Sequence, residues 1–247
     1  MRLDRYLAQS GERTRSEAAR LLRSGAVRVN GEPVRDGGFH LKPDDRVELM
    51  GQAMEEKRYQ YLMLHKPAGL LTAARDSRAP TVMQLLPESC ARRKVLPVGR
   101  LDKDTTGLLL FTNDGELAHR LLSPKRHVWK TYEATVTGRL TAADEETFAR
   151  GITLSDFTAL PARMEILSAG EDESRARVQV REGKFHQIKR MFGALGHEVT
   201  ALSRLTFGAL RLPAELPPGQ YRELTEEELS ALREEAGLTE PERNEDA

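Results

Sequence analysis

Cysteine is nearly absent from this chain of 247 residues, in which Cys90 is the only one. A single thiol excludes an intramolecular disulfide and any zinc site built from several cysteines. Long hydrophobic runs are missing too, since none approaches the roughly eighteen residues that a membrane helix needs. The first ten residues are too polar for a signal peptide. We therefore expect a cytoplasmic protein that has no membrane partner.

The sequence also lacks a net charge, with 38 Lys/Arg and 38 Asp/Glu, but the two signs are unevenly distributed. Residues 223–247 carry ten acidic and two basic side chains, a net charge of −8, so the preceding 222 residues carry +8. A basic body with an acidic end suits a polyanionic partner. A salt-bridged surface is the alternative explanation of the same composition.

Motifs for common cofactors are missing as well. The sequence contains no Walker phosphate loop and no GxGxxG after a predicted strand, and its six histidines show no close metal-ligand spacing. Most of these histidines are therefore assigned a structural or solvated role.

The first recognisable feature of the sequence is a small module over residues 1–50. A first short helix is followed by a capping box of Thr14 and Glu17, which starts a second helix that ends at Gly25. Asn30-Gly31 then supplies the positive φ angles of a tight hairpin turn. The pattern predicts two helices and a hairpin with one basic face.

This order of elements resembles the S4 RNA-binding domain. The motifs that carry the resemblance are RLDRYLA in the first helix, SEAARLLRSG in the second and VRVNG in the hairpin. The resemblance implies a sequence-independent contact with folded RNA. Arg2, Arg15 and Arg28 are the expected contacts, and a small basic module with another task is the alternative.

Two further boundaries follow along the chain. Residues 51–58 are polar and aperiodic, which predicts a linker. Over 59–236, many predicted strands and short helices occur without a βαβ alternation. This favours an α+β domain with a mostly antiparallel mixed sheet flanked by helices. Residues 237–247 are predicted to be an acidic disordered tail.

Two carboxylates stand directly before an apolar run in GRLDKDTTGLLLFTNDG, residues 99–115. Asp102 lies in the loop that enters a predicted buried strand, and Arg100 could pair with it and keep it ionised. A positioned carboxylate in a cleft can act as a nucleophile or a base. The structural alternative is a turn cap, which is also the role expected for Asp104 at Thr105-Thr106.

The stretch 99–115 resembles, almost letter for letter, the catalytic motif of ribosomal RNA pseudouridine synthases of the small-subunit type and their large-subunit relatives. Further motifs of that family are HKPAGLLT (65–72), KTYEA (130–134) and EGKFHQIKRMF (182–192). The resemblance covers roughly residues 1–230. It implies that a uridine is detached at its N1–C1′ bond, turned and rejoined through C5, without metal or cofactor.

The resemblance also implies roles for single residues. Asp102 would be the essential carboxylate, acting either by attack on C1′ or by proton removal from the sugar. Lys189 would pair with it, with an exchange of roles with Arg190 left open. Tyr132 would stack on the extruded uracil, and ordinary sheet packing is the alternative. The expected contacts with the RNA backbone are Arg100, Lys130, Lys184, Gln187 and Arg190.

The residues between 186 and 195 add a local prediction. His186, Lys189 and Arg190 occur at i, i+3 and i+4, which places them on one face of a predicted helix. Ile188 and Phe192 would face inward. The family resemblance, and not the spacing, implies that Lys189 on this face pairs with Asp102.

The sequence therefore favours an enzyme that isomerises uridine in ribosomal RNA. The compact layout and short acidic end favour 16S over 23S RNA as substrate. The expected partner is ribosomal RNA or an assembling ribosomal subunit, and the expected state is a monomer. Alternatives are a 23S-specific enzyme, a non-catalytic S4-type RNA-binding assembly factor, and a base-excising enzyme that releases free uracil.

Overall fold

The structure, a computed structural model, describes residues 1–9, 14–42, 44–54 and 59–238. In this part of the chain, no helix combines the length and the hydropathy that a membrane span requires.

The chain divides into two compact units. Unit 1 contains Met1–Gln60 and Pro87–Leu96, and unit 2 contains Tyr61–Leu86 and Pro97–Ala247. The segment around residue 90 thus groups with unit 1, although it lies inside the 59–236 range that the sequence predicts as the second domain.

Unit 1 contains short helices and a small antiparallel sheet. The elements are α1 (Leu3–Gln9), α2 (Arg15–Ser24), β1 (Val27–Val29), β2 (Glu32–Pro33), β3 (Val47–Leu49), β4 (Gln52–Ala53) and α3 (Glu88–Arg92). The strand order is β2–β1–β3–β4. Its apolar core contains Leu3, Leu7, Ala18, Leu22 and Val27, among others.

The local signals of the N-terminal module are confirmed. The Thr14 hydroxyl accepts a hydrogen bond from the Glu17 amide at 3.2 Å, and the Glu17 carboxylate accepts one from the Thr14 amide at 2.6 Å. Gly25 ends α2 with a φ of 78°. Asn30 and Gly31 have φ angles of 53° and 84°, as the hairpin turn requires.

The predicted linker differs from the structure at its beginning. Met50 and Gly51 have φ angles of 53° and 81° and form a tight turn, after which β4 pairs antiparallel with β3. A methionine is an unusual residue at positive φ, so the sequence carries little sign of this hairpin. Residues 55–58 lie outside the described residues, as do residues 239–247 of the predicted tail.

Unit 2 is built on a larger mixed sheet. Its strands are β5 (Tyr61–Lys66), β7 (Thr106–Thr112), β8 (Lys130–Thr137), β9 (Arg163–Ala169), β10 (Glu173–Val180), β11 (Val199–Phe207), β12 (Leu210–Arg211) and β13 (Tyr221–Glu223), and the two-residue strand β6 (Leu96–Pro97) lies at its boundary. Its helices are α4 (Gly115–Leu122), α5 (Ala142–Arg150), α6 (Gln187–Ala194) and α7 (Glu226–Glu235), with 3₁₀ turns at Val82–Leu85 and Pro124–Arg126.

The main strand order in unit 2 is β13–β5–β7–β11–β8–β10–β9, and β12 pairs with β11. Along this order β7 and β11 run parallel, whereas their other described pairings are antiparallel. The predicted α+β class with a mostly antiparallel mixed sheet is confirmed.

Buried apolar side chains cover this sheet in two clusters. One lies around β8 and β10, where Phe148 of α5 meets Phe192 of α6 with ring centroids 4.9 Å apart. The other includes Leu108 and Leu110 of β7 and side chains of α4 and α7. Because Leu108 to Phe111 are fully buried, the loop before β7 is anchored at the centre of the sheet.

Candidate active site

A buried ammonium holds the loop that precedes β7. Lys66, the last residue of β5, has no exposed surface. Its Nζ donates to four carbonyl oxygens, of which those of Asp102, Lys103 and Thr105 lie 3.0, 3.2 and 2.8 Å away. Burial lowers the pKa of Lys66 to about 8, although the nearby charges of Asp104 and Asp102 oppose that shift. These hydrogen bonds from Lys66 therefore fix the backbone of the loop that carries Asp102.

The Asp102 carboxylate is partly exposed and has two basic neighbours on or beside α6. His186 Nε2 lies 3.5 Å from Oδ1, and Lys189 Nζ lies 3.9 Å from Oδ2. The predicted pair with Arg100 is not formed. Among the described residues, the ion-pair neighbours of Asp102 are His186 and Lys189.

Lys189 directs its hydrogen bonds to the other aspartate of the motif. Its ammonium donates to both carboxylate oxygens of Asp104, at 2.6 and 2.7 Å. This hydrogen bond lowers the pKa of Asp104. Asp104 therefore orients Lys189, rather than capping Thr105-Thr106 as the sequence suggested, and leaves the ammonium beside Asp102.

Arg190 does not share this position. Its guanidinium pairs with Asp156 and lies over the ring of Phe157, 5.1 Å from the centroid. The sequence left open whether Lys189 or Arg190 lies beside Asp102. In the structure, Lys189 does.

His186 occupies a different position from the one its spacing predicts. It is the N-cap of α6 with a φ of 49°, so the helix begins at Gln187. Its ring stacks on Phe185 with centroids 3.8 Å apart and planes 18° apart. Phe185 is 73% exposed. The predicted site did not include this pair, whose signal in the sequence is an aromatic residue between the polar residues Lys184 and His186.

A cavity of about 80 Å³ collects the residues to which the sequence assigned the chemistry. Asp102, Tyr132 and Lys189 all line it, together with Thr105 and His186. Thr105 is 2% exposed, and its hydroxyl has no hydrogen-bond partner within the described residues.

Tyr132 lies on β8 between two neighbouring strands. Its register partners are Val178 of β10 and Arg204 of β11, and its side chain packs against the core cluster that includes Ile188 and Phe192 of α6. Because Tyr132 also lines the cavity, packing and base stacking are both compatible with its place. In the described residues, no group of three or more His, Cys, Asp or Glu side chains is placed to hold a metal ion.

Three predicted RNA contacts also line this cavity, namely Arg100, Lys184 and Gln187. Gln187 is buried, and its amide group bonds to the Glu182 carboxylate at 2.7 Å and to the Lys184 amide at 3.0 Å. It shapes the loop before α6. Arg100 and Lys184 are exposed and remain accessible to phosphate.

Lys130 is engaged within the protein. Its ammonium donates to the Val128 carbonyl at 2.8 Å and lies 5.6 Å from the centroid of the Phe207 ring. Burial, followed by the charge of Arg204, lowers the pKa of Lys130 to about 8. These contacts orient the ammonium toward the Val128 carbonyl and the Phe207 ring.

The predicted contacts in unit 1 are on its surface. Arg15 and Arg28 are exposed, and Arg28 donates to the Gly31 carbonyl at 2.9 Å. Arg2 is exposed as well and pairs with Asp4 at 2.7 Å.

Comparison with known families and proteins gives a consistent result. The family model described as RNA pseudouridylate synthase matches residues 60–194, and the S4 domain model matches residues 1–47. The S4 domain predicted at the N-terminus is therefore confirmed.

Curated relatives match almost the whole chain. An uncharacterized RNA pseudouridine synthase, YtzG, of Bacillus subtilis (strain 168) is 44% identical over 95% of this chain and 99% of its own length. Ribosomal small subunit pseudouridine synthase A of Escherichia coli (strain K12) is 40% identical over 94% of this chain and 100% of its own length. A crystal structure of a pseudouridylate synthase matches with a TM-score of 0.65 at 36% identity, covering 94% of this chain and 99% of that one.

Proposed function

This chain belongs to the RNA pseudouridylate synthase family, and from that membership we propose that it isomerises a uridine of ribosomal RNA to pseudouridine. The observation that carries the proposal is that Asp102, Tyr132 and Lys189 line the same cavity. All three lie within the segment that the family model matches. The N-terminal S4 domain supplies a second RNA-binding surface.

The reaction exchanges one bond of the base for another. The N1–C1′ bond breaks, a C5–C1′ bond forms, and the proton lost from C5 is balanced by one gained at N1. Asp102 provides the carboxylate, which lies beside the Lys189 ammonium. Whether that carboxylate attacks C1′ or removes a sugar proton, it must meet the ribose at a fixed position.

The neighbours of Asp102 supply that fixed position. Lys66 holds the backbone carbonyl of Asp102, and Asp104 holds Lys189 with its ammonium 3.9 Å from the Asp102 carboxylate. A preorganised cation beside a reacting anion costs no reorganisation during the reaction. The roles of Asp102 and Lys189 are therefore those of reacting carboxylate and electrostatic partner.

Aromatic surfaces at the cavity suit an extruded base. Removing a base from its stack costs a few kcal/mol, and stacking on an aromatic side chain returns about 1–3 kcal/mol per base. Tyr132 lines the cavity, and the exposed ring of Phe185 stacks on His186, which also lines it. We assign the contact with uracil to Tyr132.

The proposed substrate within ribosomal RNA is the 16S molecule. Relatives named for the small ribosomal subunit match this chain over 94% of its length, which supports this choice over 23S RNA. Acting on that RNA or on an assembling subunit, the protein would work in the cytoplasm as a monomer. It would need neither metal nor cofactor, because the carboxylate is the reacting group.

The test uses an isosteric change of the reacting group. Wild-type protein and Asp102→Asn are incubated with unmodified 16S RNA, 23S RNA and small-subunit particles, and pseudouridine is scored by nucleotide position. We expect one modified position in 16S RNA, and a fall of at least about 1,000-fold for Asp102→Asn, because the amide is neither nucleophile nor base. Asp76→Asn, in an exposed turn, is the matched control and should retain activity.

The outcomes separate the alternatives. If wild-type protein binds these RNAs but produces no pseudouridine, it is an RNA-binding assembly factor. Release of free uracil would indicate a base-excising enzyme. Modification of 23S RNA alone would support the proposed reaction but would show that the substrate is 23S RNA and not 16S RNA.

A further inference from the structure

A second cavity in unit 2 is larger than the one at Asp102. It encloses about 490 Å³. We call it the rear groove, and its polar lining consists of Thr131, Arg163, Glu165, Arg177, Gln179, Thr206 and Arg211. None of these residues belongs to the site described above.

The rear groove lies on the opposite face of the strands that carry the Asp102 cavity. Thr131 lines the groove, whereas Tyr132, the next residue of β8, lines the cavity. Gln179 and Val180 of β10 divide in the same way. Because successive side chains of a strand point to opposite faces, the two concave surfaces lie back to back across the β8–β10 pair.

The charge of the rear groove is positive. Arg177 pairs with Glu165 at 2.8 Å, which leaves that pair neutral. Arg163 and Arg211 also line the groove and have no acidic partner among the described residues. Two uncompensated guanidinium groups at one concave surface favour an anion.

An aromatic ring holds part of this charge in place. The guanidinium carbons of Arg163 and Arg181 lie 5.0 and 5.4 Å from the ring centroid of Trp129. A cation–π contact fixes the guanidinium and leaves its N–H edge free. Arg181 also has a buried Nε without a partner among the described residues. Guanidinium groups held in this way match the paired oxygens of a phosphate.

The floor of the groove is polar and preformed. Thr206 and Thr131 share a hydrogen bond of 2.8 Å between their hydroxyl groups, and the Thr206 hydroxyl also accepts from the Thr131 amide at 3.2 Å. Fixed donors and acceptors on a β-sheet floor need little ordering when a ligand binds.

We propose that the rear groove binds backbone phosphates of the ribosomal RNA at a distance from the target uridine. The choice of RNA rests on the proposed function, because a domain that holds a long polyanion on one face raises the effective concentration of the remaining phosphates at its other face. Arg163 and Arg211 are the principal contacts. The groove would add affinity and salt dependence without taking part in the reaction.

The test compares two pairs of arginines in unit 2. Arg163→Gln/Arg211→Gln removes the groove charges. Arg139→Gln/Arg150→Gln removes the same number of charges from exposed residues that pair with Glu171 and Glu146. Binding of unmodified 16S RNA is measured at several salt concentrations. The groove variant should bind roughly tenfold more weakly near 0.1 M salt, with a salt slope lower by about 1.4, whereas the control should stay close to wild type.

Turnover distinguishes the rear groove from the active site. At saturating RNA the groove variant should keep the wild-type kcat and show a raised KM. Equal affinity and slope for the two double variants would overturn the proposal. If the double variant does not fold, Arg163→Gln and Arg211→Gln singly, each expected to lower the slope by about 0.7, replace it, and their equality with Arg139→Gln would overturn the proposal as well.

Failure of the proposed function gives a different result. If wild-type protein forms no pseudouridine while the groove variant still binds RNA more weakly than the control, the groove proposal stands and the enzymatic one does not. If polyglutamate competes for the groove as well as RNA of the same charge does, the ligand is an acidic protein and the RNA proposal is overturned.

Discussion

At the scale of single residues, Lys66 is fully buried and Lys130 is partly buried, and their ammonium groups have different partners. Lys66 Nζ donates to the backbone carbonyls of Pro67, Asp102, Lys103 and Thr105. Lys130 lies between the Val128 carbonyl and the Phe207 ring. A compact ammonium satisfies several carbonyl oxygens that converge on one point, which a planar guanidinium does less well. Both groups have a pKa of about 8 because burial disfavours their charged form.

This shared shift predicts how stability depends on pH. Between about pH 8 and 10.5 the unfolded chain keeps the lysine protons that the folded chain has released, so the free energy of unfolding rises with pH in that window. Each lysine contributes at most about 1.4 kcal/mol per pH unit. We expect Lys66→Met and Lys130→Met each to reduce this slope, as measured by urea unfolding from pH 7 to 10. Slopes equal to wild type in both variants would show that neither lysine is protonated differently in the two states.

At the scale of elements, the parallel contact between β7 and β11 depends on one glycine. Gly107 has a φ of 104°, and a Cβ atom there would lie 2.5 Å from the amide nitrogen of Arg204. No side chain fits such an approach, and L residues avoid this φ. The contact brings the strand that follows Asp102 beside the strand that pairs with β8, and so places Tyr132 within reach of the Asp102 loop.

Gly107→Ala should therefore destabilise the protein strongly. The combined cost of a strained φ and an overpacked contact is about 2–5 kcal/mol, to be measured as a change in the free energy of unfolding. Gly193→Ala is the control, because Gly193 lies in α6 with no neighbour near its Cβ position. It should leave stability unchanged or raise it by about 0.5–1 kcal/mol. Equal stabilities of the two variants would contradict the account of the β7–β11 contact.

At the scale of the whole molecule, the S4 domain lies in unit 1, whereas the proposed reaction takes place in unit 2. Arg15, Arg20 and Arg23 are exposed on one side of α2 in unit 1, while Ala18 and Leu22 are buried. The Asp102 cavity is formed by residues of unit 2 alone. Substitutions of the exposed arginines in unit 1 should therefore change the affinity for RNA, and substitutions in the Asp102 cavity should change kcat.

Arg15→Ala/Arg23→Ala tests this division. We expect weaker binding of 16S RNA and a salt slope lower by about 1.4, because two phosphate contacts are lost, with an unchanged kcat at saturating RNA. Filter binding and pseudouridine formation are the two measurements. A fall in kcat with unchanged affinity for 16S RNA would mean that unit 1 contributes to the reaction and not to RNA binding.

Much of the local structure was predictable because its causes are local. The capping box at Thr14 and the Asn30-Gly31 turn are formed by residues a few positions apart, and each is found where the sequence places it. The hairpin at Met50-Gly51 was missed, since nothing in its two central residues except the glycine indicates positive φ.

The sequence by itself determined the fold class, the S4 domain and the family, because long motifs and periodic burial are properties of neighbouring residues. Only the tertiary structure decided how the side chains of distant strands are paired. In the folded protein, Lys189 contacts both Asp104 and Asp102, and Arg190 pairs with Asp156. His186 lies beside the Asp102 carboxylate. Such choices depend on distances between residues about 30 to 90 positions apart, and these distances exist only after the sheet has formed.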